Sequence, residues 1–223
     1  MTKPEHGPHG RSTLSVPPER RHWMRVQLVS VLAVAALLAV GCSTKTSGTA
    51  EPSTPLPDAT DLPRAGAPKV TAPLKTEQLT NDPCGAATDA DIEGIAGKLK
   101  GSKVEQIGGG PTCSWVLADL AGSINGGLNV SQPDGLSHLY ALKRQGSGVT
   151  TFKPLPDIAG YPAVVFANGG EGAGNCNLAV GVRDDMMYTV VTALFDNSPG
   201  YNDPCGSSVR VAELAIQHLK AAQ

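Results

Sequence analysis

Aromatic side chains are scarce in this 223-residue chain, which has 3 Phe, 2 Trp and 4 Tyr, so few large anchors are available to a core. No apolar run reaches the ~20 residues of a membrane-spanning helix. No block of like charge stands out and the formal net charge is only -2, which leaves a mixed solvated surface as the default. Gly-x-Ser-x-Gly and Cys-x-x-Cys are both missing, and beyond His22 only His138 and His218 remain. An elbow-type hydrolase and a four-ligand zinc site are thereby disfavoured. What the chain does have is conformational punctuation, 26 Gly and 18 Pro, the mark of a loop-rich fold. An apolar content of 40% excludes a wholly disordered chain.

The first segment reads as an export signal over residues 1–41. Arg11, Arg20, Arg21 and Arg25 precede an apolar stretch from Val26 to Val40, broken only by Gln27 and Ser30. A basic head, a short apolar middle and small residues before a cut are the layout of a secretory signal. Leu38-Ala39-Val40-Gly41-Cys42 resembles a bacterial lipobox, which implies cleavage before Cys42 and lipidation of its thiol, with palmitate-type acyl chains holding the protein at the outer face of the cell membrane. Arg20-Arg21-His22-Trp23-Met24-Arg25 also resembles a twin-arginine motif. A start at Met24 would instead leave a signal for the general route. From Cys42 onward the chain carries 13 Lys plus Arg against 18 Asp plus Glu, so nucleic acid is not an expected partner.

Residues 42–81 read as the lipidated Cys followed by a disordered tether. Positions 43–81 hold six Pro and eleven Ser or Thr and no aromatic, a composition that cannot bury a core and spans roughly 35 Å as a coil. Residues 82–223 read as a single α+β domain. Its two ends carry the same five residues, Asn81-Asp82-Pro83-Cys84-Gly85 and Asn202-Asp203-Pro204-Cys205-Gly206, each a helix-start signal of capping carboxylate and first-turn Pro.

Between them, Thr88 and Asp91 read as a cap, with a helical stripe through Ile92, Ile95, Ala96 and Leu99. Strands follow over 103–107, 112–118 and 123–131. Asp134 caps a second helix from Gly135 to Arg144 with Leu136, Leu139 and Tyr140 on one side. After a Pro-containing stretch, strands run over 163–167, 176–182 and 187–195, and Val209, Ala212, Ile216 and Leu219 mark a closing helix. The order is α-β-β-β-α-β-β-β-α, an antiparallel sheet whose apolar faces must be covered by helices.

Cys84, Cys113, Cys176 and Cys205 are an even set in an exported protein and point to two disulfides. A helix that returns antiparallel to the following strand brings Cys84 near Cys113, and the mirrored argument brings Cys176 near Cys205. The rival pairing, Cys84 with Cys205 and Cys113 with Cys176, would join the two repeats directly.

Taken together, the lipobox, the Pro/Ser/Thr tether, Asp82-Pro83-Cys84, Cys113-Ser114-Trp115, Cys176 and Asp203-Pro204-Cys205 resemble an uncharacterised family of actinobacterial lipoproteins with a domain of unknown function. Asp89 stands where that family often has Pro, and Ala39 where a lipobox usually has Leu. The layout is also similar to PsbP-like α/β/α sandwiches and to extracellular sensor domains of actinobacterial kinases. These likenesses imply binding or sensing.

Chemical motifs are thin. Asp89-x-Asp91-x-Glu93-Gly94 starts like a calcium loop, but Lys100 stands where the bidentate acid belongs, so first-turn acids are the better reading. Gly169 to Gly174 has no following Lys-Ser/Thr and reads as a hairpin loop. His138 with Asp134 one turn away is the candidate base, His218 suits a helix C-terminus, and Trp115 reads as core beside a disulfide. No metal or cofactor is expected. The expectation is a non-enzymatic binding domain that takes an apolar envelope molecule or a surface protein in a groove beside Leu139 and Tyr140. A cell-envelope hydrolase with an unrecognised site is the alternative.

Overall fold

The computed structural model describes residues 61–223 with the exception of Glu171. The export signal, the twin-arginine motif and Cys42 lie outside the described residues. Seven strands form one antiparallel sheet in the order β1-β2-β3-β7-β6-β5-β4. They are β1 (Leu99–Ile107), β2 (Gly110–Leu117), β3 (Gly122–Asn129), β4 (Thr151–Ile158), β5 (Tyr161–Ala167), β6 (Asn175–Arg183) and β7 (Met186–Leu194). Two meanders, β1 to β3 and β4 to β7, thus meet along the β3–β7 pair. The helices are α1 (Glu77–Asn81), α2 (Asp89–Ala96), α3 (Leu136–Gln145) and α4 (Pro204–Ala221). This is an α+β fold.

Alternation along the strands decides what each face carries. One face presents Cys113, Trp115, Ile124, Leu128, Leu178, Val180, Tyr188 and Val190 to α2 and α4, whose Ile92, Val211, Ala215, Ile216 and Leu219 complete the main core. Among the described residues, the other face is covered over one half only. There Leu136 and Leu139 of α3 pack on Val164, Ala179 and Met187.

The two five-residue repeats fold differently. At the C-terminal copy the Asp203 carboxylate accepts the Gly206 N–H at 2.9 Å and α4 runs on for 18 residues. The first copy makes only a 3-10 turn, Pro83–Ala86, with no side-chain cap from Asp82. The chain then restarts at Thr88, which forms a reciprocal capping box with Asp91. That helix ends earlier than the stripe implies. Gly97 takes φ 101°, a positive-φ extended conformation open to Gly because it has no Cβ, so the helix stops there and Leu99 belongs to β1.

Two further corrections concern residues that composition concealed. Residues 61–81 were expected as the end of the tether, yet Val70, Leu74 and Leu79 are buried in the main core. The Leu74 N–H reaches the Val182 carbonyl at 3.0 Å and the Val70 N–H reaches Asp184 at 2.8 Å. Three spaced apolar residues suffice to bind a Pro-rich strap that averages as polar. The Pro-containing stretch before β5 is itself a strand, β4, with Pro154 and Pro156 inside it. Pro donates no ladder hydrogen bond, and β4 is an edge strand where none is needed on the outer side.

Candidate functional site

The uncovered half of the second face is built from β1, β2, β3 and the end of β7. Register sets its rows. Lys103 lies opposite Ser114, Ser114 opposite Asn125, and Asn125 opposite Val191; one row along, Val116, Ser123 and Ala193 line up. The surface is therefore made of small and short polar side chains, flanked at its outer edge by the Lys103–Glu105 ion pair at 2.6 Å. The Lys103 ammonium beside Glu105 holds that carboxyl below its ordinary range, with help from Ser114.

At one end of this surface lies a hollow of about 630 Å³ lined by Lys100, Ser114, Val116, Ser123, Leu120 and Phe195, among others. Leu120 is 87% exposed and Phe195 59%. Their loops are fixed to each other. The Phe195 N–H donates to the Ala121 carbonyl at 2.9 Å, and the Asn197 amide donates to the Asp119 carbonyl at 2.8 Å. Asp119 and Leu120 both sit in the left-handed region, at φ 52° and 57°. For a branched side chain that conformation costs about 1–2 kcal/mol, and here it holds an apolar group out in water.

The residues singled out from sequence fall elsewhere. Leu139 is buried under α3 and lines a smaller hollow of about 300 Å³ with His138, Leu142, Phe166 and Met187. Tyr140 does not line that hollow; its ring stands edge-on to Phe152, with centroids 4.9 Å apart, and burial pushes its phenol up. The Gly169–Gly174 loop borders a separate hollow of about 240 Å³ beside Cys176 and Cys205. His138 Nδ1 is 4.0 Å from Asp134, but that carboxylate is held at 2.9 Å by Arg64. Ser131, in the same hollow, gives its hydroxyl to Asn129, and Ser137 accepts the Arg64 N–H. Asp89 accepts from Ser102 and Asp91 is used by the cap. His218 faces Gly85 and is in the last turn of α4, and Trp115 is fully buried. Among the described residues there is no cluster of three metal-ligating side chains, and no helix is long and apolar enough to cross a membrane.

The four cysteines do come together in pairs. Cys84 is bonded to Cys113 and Cys176 to Cys205, so each disulfide ties a five-residue repeat to a strand of its own meander. Residues 37–218 match the family model described as protein of unknown function (DUF3558). The chain belongs to that family. No curated protein and no solved structure matches this DUF3558 member.

Sequence reasoning missed Leu120, Phe195 and Asn197. Leu120 falls between the strands read over 112–118 and 123–131, where nothing marks it, and Phe195 reads as the last residue of another strand. The only local signal is Asp119 before Leu120, since Asp tolerates the left-handed region better than most residues.

Proposed function

We propose that the chain is an exported lipoprotein of the actinobacterial cell envelope, anchored through Cys42, whose folded part binds a second envelope protein at Leu120 and Phe195. The observation that carries this reading is the pinned loop pair, in which backbone strain and two hydrogen bonds keep a large apolar side chain 87% exposed beside a second one. Strained backbone persists only where surrounding contacts hold it, and it clusters at functional sites. Apolar anchors ringed by polar groups are the make-up of a protein interface core and rim. Lys100, Lys103 and Glu105 supply that rim, and the half-exposed Ser123 and Asn125 between them make a shallow polar floor that fits a broad protein surface better than a small apolar molecule.

The 4.0 Å between His138 Nδ1 and Asp134 Oδ1, beyond hydrogen-bond reach while Arg64 holds the other oxygen, supports binding over hydrolysis. A small apolar ligand remains the second reading, favoured by the hollow under α3 where Leu139, Leu142, Phe166 and Met187 converge. The test is Leu120→Asp in the full exported chain. Envelope extracts run under native conditions are expected to show the wild-type chain in a complex with another protein and the variant released from it. Unchanged complex size in the variant would count against the surface.

A further inference from the structure

The sheet has two edges and they are guarded unequally. On β4, Pro154 and Pro156 interrupt the outer row of donors. On β1, the segment Gly101–Ile107 pairs residue by residue with β2 on its inner side. No backbone hydrogen bond from the described residues reaches its outer side, and the Glu93 side chain of α2 accepts only the Leu99 N–H, before this segment begins. Two apolar side chains on this edge are exposed, Val104 at 52% and Ile107 at 40%. An open edge of this kind is a pairing template.

The side chains of that edge complement one copy of themselves. Set two β1 strands antiparallel about Val104, and Lys103 falls opposite the second copy's Glu105, in both directions. Ser102 falls opposite Gln106, Val104 opposite Val104, and Gly101 opposite Ile107. All of these pairs lie on matching faces, because each joins two even or two odd positions. A Cβ added at Gly101 would have nothing within 4 Å, so there is open space for the facing Ile107 to cover. Lys103 and Glu105 already meet at 2.6 Å within the chain and are partly exposed, free to exchange partners across a two-fold axis.

We propose that two copies of this chain pair through β1 in antiparallel register about Val104, forming one continuous 14-stranded sheet from two sheets of seven strands. The pairing is isologous, so it closes as a dimer and does not propagate. It also filters partners. A foreign strand that sets a cation opposite Lys103 or an anion opposite Glu105 is disfavoured. The dimer sets the two uncovered half-faces side by side, each with its own Leu120 and Phe195. This inference stands on the edge alone and does not depend on what docks at those residues.

Sedimentation equilibrium of the full chain in density-matched detergent tests it. The wild type is expected as a dimer in equilibrium with monomer. Lys103→Glu and Glu105→Lys each oppose like charges twice and are expected to weaken association at least about tenfold. The double variant Lys103→Glu/Glu105→Lys is expected to restore it. Thermal unfolding of the three variants checks folding, and concentration-dependent protection of the Gly101–Ile107 amides in hydrogen exchange reads the same edge without substitution. A wild type that stays monomeric, a dimer indifferent to the single reversals, or a double variant that is not rescued would each overturn the proposal.

Discussion

Tyr188 closes over Gly126: a Cβ placed on Gly126 would lie 2.5 Å from the Tyr188 phenol oxygen and 3.1 Å from the Trp115 ring. The two residues lie on neighbouring strands, and their contact fixes how β3 and β7 join the two meanders. Gly126→Ala is therefore expected to cost about 1–3 kcal/mol through overpacking. The phenol itself has no hydrogen-bond partner among the described residues, and burial pushes its pKa well up. Tyr188→Phe removes an unpaired buried hydroxyl and is expected to be neutral or stabilising in urea unfolding. A large loss on Tyr188→Phe would show that the hydroxyl has a structural partner.

The disulfides give a symmetric prediction. Both close loops with a sequence separation of 29, so in the chain-entropy model the paired replacements Cys84→Ala/Cys113→Ala and Cys176→Ala/Cys205→Ala each cost about 3–4 kcal/mol. Comparable losses in denaturant unfolding are expected. Each bridge joins one buried cysteine, Cys113 or Cys176, to one half-buried cysteine, Cys84 or Cys205, so a difference of several kcal/mol would mean that the packing around one bridge outweighs loop closure.

At the start of α2, hydrogen bonds from the Thr88 hydroxyl and N–H hold the Asp91 carboxyl below its ordinary range. The sign follows from linkage: a depressed folded pKa contributes stability fully present above the unfolded value near 4 and lost as pH falls through the folded one. Thr88→Ala is expected to cost about 1 kcal/mol at neutral pH. Its penalty relative to wild type shrinks as the pH is lowered below 4. A penalty independent of pH would assign the effect to the hydroxyl alone.

Leu120 yields a prediction in which stability and binding move oppositely. Leu120→Gly relieves the left-handed strain and removes a side chain that is 87% exposed, so the variant is expected to gain up to about 1 kcal/mol. The same change is expected to abolish association with the partner protein. A Leu120→Gly variant that unfolds more easily would place the side chain in the fold and not in an interface.

How far the sequence spoke depended on the kind of signal. Periodic elements with strong caps were legible, as at Thr88 and Asp203, because local hydrogen-bond chemistry fixes where such helices start. The sheet class and the neighbouring cysteines followed from alternation and return geometry. The strap around Val70 and Leu74 was not legible, since its burial depends on a groove made by distant residues, and β4 was hidden by Pro154 and Pro156, whose meaning changes at an edge. The candidate surface was hidden for a related reason. The loop that keeps Leu120 in water is held in part by the Asn197 amide on the Asp119 carbonyl, 78 positions away, and no local pattern encodes that contact.

The anchor is a separate prediction. Mass spectrometry of the mature chain is expected to find an N-terminal Cys42 carrying acyl groups, as the lipobox-like Leu38 to Cys42 implies. An unmodified terminus or one beginning elsewhere would remove the envelope attachment from the account.

The docking claim itself is tested most directly by photo-crosslinking in living cells. A photoreactive residue placed at position 120 or 195 of the full chain is expected to capture the same envelope protein, and one at the exposed Gln217 on α4 is not. Adducts with lipid alone, no adduct at either position, or equal capture from Gln217 would contradict a protein-binding surface at Leu120 and Phe195.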